Sequence, residues 1–247
     1  MWSAEAQQAN GGWGHGRIHA ANPDPLAERF GEMGGGYPST LCSSSNVVAM
    51  TVGILHAMGY KEADNAVQKA RGYFRNARLQ NGSFPYDPSQ RSSGFAKTNV
   101  GRTAGSIYAW HCLGMPRDKD FGGSVDYLTK EFAWIPEGHG SPCLNMMHAA
   151  LACQMLGKRT WRRFRDAFEG RIIRAQQDDG VLSCICEQKA FAVTCDSKAA
   201  LAGLFGRGQA VYSTALHTFV LLLQHDNLKS LKRRKPGATI TKGERRR

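Results

Sequence analysis

Gln8-Ala9-Asn10-Gly11-Gly12-Trp13 has two further versions downstream, Gln80-Asn81-Gly82-Ser83-Phe84 and Gln177-Asp178-Asp179-Gly180-Val181-Leu182, and a degenerate one without its Gln spans Trp134 to Gly140. Each is a polar turn ending in an apolar residue, and each is followed by an apolar segment opened by a small polar residue: Asn46 to Met58, Thr103 to Leu113, Asn145 to Leu156 and Thr214 to Leu223. Self-similarity over tens of residues marks stacked supersecondary units, because one helix pair cannot bury its apolar face alone whereas neighbouring pairs bury a shared one. Gly12, Gly82, Gly138 and Gly180 lie 70, 56 and 42 residues apart. That unevenness excludes a strict short-period solenoid and implies helix pairs joined by loops of variable length.

The two helices of a unit differ. Over Glu62 to Leu79, apolar residues Ala66, Val67, Ala70, Phe74 and Ala77 recur at three- and four-residue steps among Lys69, Arg71, Arg75 and Arg78. This is the pattern of a half-buried, amphipathic outer helix. Over Asn46 to Met58 one stripe is apolar (Val47, Met50, Ile54, Leu55, Met58) and another is small (Ala49, Gly53, Ala57), which predicts an inner helix buried on most sides. Thr214 to Leu223 carries no charge in ten residues, yet is shorter than the roughly 20 apolar residues a bilayer requires. The expected architecture is all-α, an α/α toroid of helix-pair repeats in two concentric layers, incomplete because only about four pairs can be counted in 247 residues.

With those turns and helices in view, the chain resembles the repeats of the squalene cyclase and protein prenyltransferase superfamily, in which helix pairs form an α/α barrel around a central cavity. The resemblance covers Gln8 to Leu228. More narrowly, Gly82-Ser83-Phe84-Pro85-Tyr86-Asp87, Thr98-Asn99-Val100-Gly101-Arg102-Thr103-Ala104 and Lys189-Ala190-Phe191-Ala192-Val193-Thr194-Cys195-Asp196 are similar to a poorly characterised bacterial group of such toroid proteins. The resemblance implies a terpenoid cyclase-like or prenyltransferase-like plan, with a hydrophobic or anionic, isoprenoid-like ligand in the cavity. It also implies more helix pairs than are counted here, and its narrower members often carry further N-terminal sequence including a small PDZ-like module, so an open barrel or missing N-terminal sequence is expected.

Two departures bear on chemistry. Cyclases of the squalene-hopene kind protonate their substrate through an Asp-x-Asp-Asp motif, and the nearest counterpart is Asp178-Asp179 in a repeat turn. Prenyltransferases hold zinc with an Asp, a Cys and a His from separate repeats, whereas Cys195-Asp196 with His217 matches neither that order nor that spacing. No catalytic metal and no cofactor are therefore expected. Complement-like thioester domains are also α/α toroids, but one residue separates their reactive Cys from Glu-Gln; here Cys186 abuts Glu187-Gln188 and two residues separate Cys184 from it.

Seven cysteines leave at least one unpaired within the chain. Cys42, Cys112 and Cys153 fall in or beside inner helices, where a thiol acts as a small hydrophobe. Cys184, Cys186 and Cys195 cluster after the last turn, where unreacted thiols, a disulfide to Cys195 and a zinc site compete, although Cys184-x-Cys186 lacks the two-residue gap of a zinc knuckle. Of the net charge of +12, residues Lys229 to Arg247 supply +8, from nine basic residues and Glu244, leaving +4 for the remainder. The basic signal is thus a tail, read as disordered over 229–247 after a toroid domain over 1–228. Its charge rewards counterion release at any polyanion, but no nucleic-acid motif accompanies it and no specific nucleic-acid binding is expected. Met1 to Gly16 has no charged start followed by an apolar run, so no signal peptide is read and localisation is left open.

Candidate functional residues stand where turns run into inner helices, the end that lines the cavity in the superfamily. Lys97, Asn99 and Arg102 precede the second inner helix, His139, Asn145 and His148 surround the third, and Asp196, Tyr212 and His217 surround the fourth. Each also has an ordinary structural reading: Thr98, Asn99 and Thr103 as helix caps, His148 and His217 as hydrogen-bonded core residues. Together, Lys97, Arg102 and positive helix ends suit a diphosphate or carboxylate. His139, between Gly138 and Gly140, and Asp196 are the candidates for proton transfer. Two classes of function follow, an enzyme of terpenoid-cyclase or prenyltransferase type and a noncatalytic binder or scaffold for a peptide, glycan or lipid.

Overall fold

The computed structural model describes residues 7–14, 40–89, 97–137, 142–183, 185 and 206–223. Among them the protein is all-α, with seven α-helices, no strand and one isolated antiparallel bridge between Gln176 and Leu182. The helices are α1 (Cys42–Ala57), α2 (Asp64–Ala77), α3 (Val100–Cys112), α4 (Lys119–Lys130), α5 (Pro142–Leu156), α6 (Lys158–Arg174) and α7 (Gly206–Leu222). Helices α1, α3, α5 and α7 pack side by side in that order, and α2, α4 and α6 flank the row, α2 packing on α1, α4 on α3 and α6 on α5.

Composition explains the division. The flanking helix α6 buries only Phe164, Phe168 and Ile172, one stripe at four-residue steps, and exposes most of its basic residues. Phe164 and Phe168 pack at 5.2 Å, and Phe168 stacks on Phe132 at 5.8 Å. In contrast, α3 is buried at every position from Val100 to Trp110. Flanking helices are tied to one another by charge: Arg75 reaches Asp118 at 3.2 Å and Arg78 reaches Asp120 at 3.5 Å. Asp118 also caps α4 by accepting from the backbone of Asp120 and Phe121, which holds its carboxyl below the usual carboxylate range.

The repeated turn is a physical unit. In all three described copies a glycine has positive φ, +87° at Gly11, +88° at Gly82 and +87° at Gly180, a conformation that costs a residue with a Cβ about 1–2 kcal/mol. The residue before it accepts a backbone N–H: Asn10 from Gly12, Asn81 from Ser83, Asp179 from Val181. The apolar residue two beyond the glycine is buried and donates its N–H to a hydroxyl within the next row helix: Trp13 to Ser45 at 2.9 Å, Phe84 to Thr103 at 3.0 Å, Leu182 to Thr214 at 3.0 Å.

This geometry revises which residues repeat. Gln8 and Gln177 share a register, but Gln80 sits one place later and Leu79 takes their position. The invariant pair is the Asx-Gly dipeptide. Row helices also begin three or more residues before the positions read from apolarity, because the turn-binding hydroxyl lies inside the helix and not at its cap. The inner-helix reading of Asn46 to Met58 holds on the sides toward α3 and α2, while Val47, Ile54 and Met58 are exposed at the end of the row.

Candidate functional site

Helix α3 starts from a short 3-10 turn over 97–99, which places Asn99 and Arg102 one helical turn apart on a buried surface. Arg102 is 2% exposed. Its Nη2 donates to Asn99 Oδ1 at 2.6 Å, and the guanidinium lies 5.6 Å over the Tyr86 ring. Burial pulls its pKa down to about 10, so it stays cationic at neutral pH, and Cys42, Tyr86 and Tyr127 are close enough to act on it electrostatically. A cation in the first turn opposes the helix dipole, and is tolerated where acceptors and a ring face replace water. The contacts run on into the repeat turn: Asn99 Nδ2 donates to Ser83 Oγ at 3.4 Å, and Ser83 Oγ to Asn81 Oδ1 at 2.8 Å. Nearby, Asp87 is buried and accepts from the backbone and hydroxyl of Ser89.

A second group of polar residues bridges the row. Asn46 of α1 donates to the Arg102 carbonyl at 3.0 Å and accepts from Ser106 of α3 at 2.9 Å. Gly105 makes room for it and for α5: a Cβ there would lie 2.5 Å from Asn46 Nδ2 and 2.6 Å from His148 Nδ1. One turn earlier, a Cβ at Gly101 would lie 2.3 Å from the Cβ of Asn145. The two glycines thus seat three polar side chains of neighbouring helices against the backbone of α3. His148 is 1% exposed, and burial holds its imidazole near 4, hence neutral at pH 7. His148 Nε2 and Asn145 Nδ2 are buried without a hydrogen-bond partner among the described residues.

Of the residues expected from sequence, Asn99 and Arg102 are in direct contact, and His148 meets the same helix at Gly105. Asn99 does not cap α3 through its side chain; its carbonyl accepts from Thr103 Oγ1 at 2.8 Å instead. Lys97 is exposed, its ammonium 5.0 Å over the Trp134 ring. Tyr212 is exposed on α7 and His217 is buried in it. His139 and Asp196 lie outside the described residues, as do Cys184, Cys186, Cys195 and the 229–247 segment. Cys42, Cys112, Cys143 and Cys153 are free thiols, and burial pushes Cys42, Cys112 and Cys153 up to about 12, too high for nucleophilic use.

Sequence reasoning passed over Ser106, and it treated Asn46 only as a helix opener. A signal was present: Thr103 with Ser106, Asn145 with His148 and Thr214 with His217 are polar pairs three residues apart, one face of successive row helices. Apart from this belt, a shallow cleft between α6 and α7 is lined by Trp161, Phe164, Arg165, Glu169, Val220 and Leu221. Among the described residues no three His, Cys, Asp or Glu side chains gather to hold a metal ion, and no helix is long and apolar enough to cross a membrane. Comparison with known protein families, with curated proteins and with solved structures finds no match to this chain.

Proposed function

We propose that the chain is a helix-pair array of the α/α toroid kind, similar in plan to squalene cyclases and protein prenyltransferases, that binds a hydrophobic or anionic small molecule against its row helices without transforming it. The toroid plan draws support from the row α1, α3, α5, α7 with a flanking helix on each of the first three. The observation that carries the noncatalytic side of this reading is the engagement of the polar groups at the start of α3. Arg102 holds Asn99, Asn99 holds Ser83, and Asn46 holds both the Arg102 carbonyl and Ser106. Groups locked in this way position helices and are poorly placed to follow charge as it moves in a reaction.

A second reading, a terpenoid cyclase or prenyl transferase, is favoured by His148 Nε2 and Asn145 Nδ2, buried and without a hydrogen-bond partner among the described residues. Each such group costs about 1–3 kcal/mol, a cost that a ligand hydrogen bond would offset. In that reading Lys97 and Arg102 hold a diphosphate, Tyr212 and His217 of α7 line the cavity, and His139, Asp196 or neutral His148 exchanges the proton. Calorimetric titration of the whole chain with farnesyl diphosphate, squalene and pyrophosphate, with products followed by mass spectrometry, separates the two. Saturable binding without turnover is the expected result. Turnover establishes the enzyme, and absence of heat with all three compounds removes the ligand from both readings.

A further inference from the structure

Among the described residues, nothing covers α7 on the face with which row helices meet their successors. Positions can be counted from the hydroxyl that receives the turn's N–H, Ser45 in α1 and Thr214 in α7. Three before, one after, four after and eight after Ser45 stand Cys42, Asn46, Ala49 and Gly53, all buried. Asn46 bonds to α3, and a Cβ at Gly53 would lie 2.6 Å from the Cys112 backbone, so this stripe is the α1 face turned to α3. The same positions in α7 are Val211, Ala215, Thr218 and Leu222. They form one face of a helix. All four are exposed, Val211 at 69% and Leu222 at 50%. The face toward the preceding helix is closed as usual, with Ser213, His217 and Val220 buried.

At the other end of the row, α1 and its C-cap expose Val47, Thr51, Ile54 and Met58, again at steps of four, three and four residues. This stripe lies off the α3-facing one. Neither stripe contains a charged residue, so neither carries the feature that keeps a solvent-facing helix monomeric. We propose that a second copy of this chain lays its α1 stripe on the α7 face, a head-to-tail junction that continues the row from one copy into the next. The occupant follows from continuity with the existing interfaces: α1 on α3, α3 on α5 and α5 on α7 are each a row helix on a row helix, and α1 is the one row helix without a described predecessor. Head-to-tail junctions of this kind close into rings or extend into filaments. This inference concerns assembly and does not depend on the ligand reading above.

Sedimentation velocity of the whole chain across a concentration series tests it. Association that rises with concentration is expected, and a chain that stays monomeric up to about 100 μM, short of a usable affinity, overturns the proposal. Ile54→Glu and Leu222→Glu each place a charge in the junction at an exposed position, so both variants fold, as circular dichroism checks. Each alone should weaken association by about tenfold or more, the effect of 1.4 kcal/mol. Mixing the two restores a dimer, because the intact α7 of the Ile54→Glu copy meets the intact α1 of the Leu222→Glu copy. If Ile54→Glu alone associates like the parent, α7 pairs with something other than α1 and the head-to-tail junction is wrong. If the mixture stays monomeric while the parent associates, the two stripes do not face each other and the proposal fails.

Discussion

The Gly82 and Gly180 turns have the same backbone and opposite surroundings. Both have φ near +88°, both receive an Asx side chain, and both pass an N–H to a threonine of the next row helix. A Cβ on Gly82 would lie 2.2 Å from the carbonyl oxygen of Gly123 in α4, and one on Gly11 would lie 2.1 Å from that of Lys69 in α2. A Cβ on Gly180 would meet nothing within 4 Å among the described residues. The turn is therefore a local device, set by Asx-Gly and the hydroxyl that answers it, whereas its burial is conferred by the flanking helix of the same unit. Where that helix packs, glycine is required twice over, by conformation and by space.

Alanine at the two glycines separates these requirements. Gly82→Ala combines the left-handed strain of about 1–2 kcal/mol with overpacking of about 1–3 kcal/mol, whereas Gly180→Ala carries the strain alone. Urea unfolding of both variants should show the Gly82 loss exceeding the Gly180 loss by at least the overpacking contribution. Equal losses would mean that the α4 contact gives way freely and that the contrast between the units is superficial.

The threonines sharpen the same contrast on a smaller scale. Thr103→Val leaves the buried Phe84 N–H without an acceptor and should cost about 1–3 kcal/mol. Thr214→Val removes the acceptor of the Leu182 N–H in a bond that is only part-buried, and should cost less, about 0.5–1.5 kcal/mol, the net worth of one hydrogen bond. Differential scanning calorimetry of the pair reads the difference directly.

Between the covered and bare ends, α5 offers a pH test. Burial lowers the His148 pKa from 6.5 to about 4, so only the unfolded chain takes up this proton as pH falls between those values. Stability from this group is complete above pH 6.5 and is lost down to about pH 4, at most about 1.4 kcal/mol per pH unit. His148→Gln should flatten that part of the stability curve, and an unchanged slope in the variant would assign it to other groups. An effect no larger than that at Thr214 is expected at the Asx positions, where Asn81→Ala and Asp179→Ala each remove a side-chain acceptor from a turn. Losses of about 0.5–1.5 kcal/mol are expected in both, and hydrogen exchange at Ser83 and Val181 would report them residue by residue.

Much of this was legible in the sequence, and for a definable reason. Asn81-Gly82 and the apolar runs act over a few residues, so pattern reading finds them. Arg102 and Asn99 were also visible as a pair near a helix start. Their bond to each other was not, because it depends on the row closing over them and leaving Asn99 as the acceptor at hand. Asn46 could not be tied to the Arg102 carbonyl from spacing alone, since 56 residues separate the two and a glycine on a third element sets the approach. The exposed stripe of α1 was misread for a related reason. Its composition is that of an interior helix, and position at the end of a row is not written in the helix itself.

The unbroken burial of α3 from Val100 to Trp110 has a kinetic consequence. With α1 on one side and α5 on the other, its amides have no local opening that frees them without parting α3 from both. They should exchange with solvent deuterium only when the whole row comes apart, while α7, bare along one face, opens by itself at lower free energy. The middle helix then acts as the molecule's clock, its exchange rate reporting global unfolding, and the last helix keeps its own faster time.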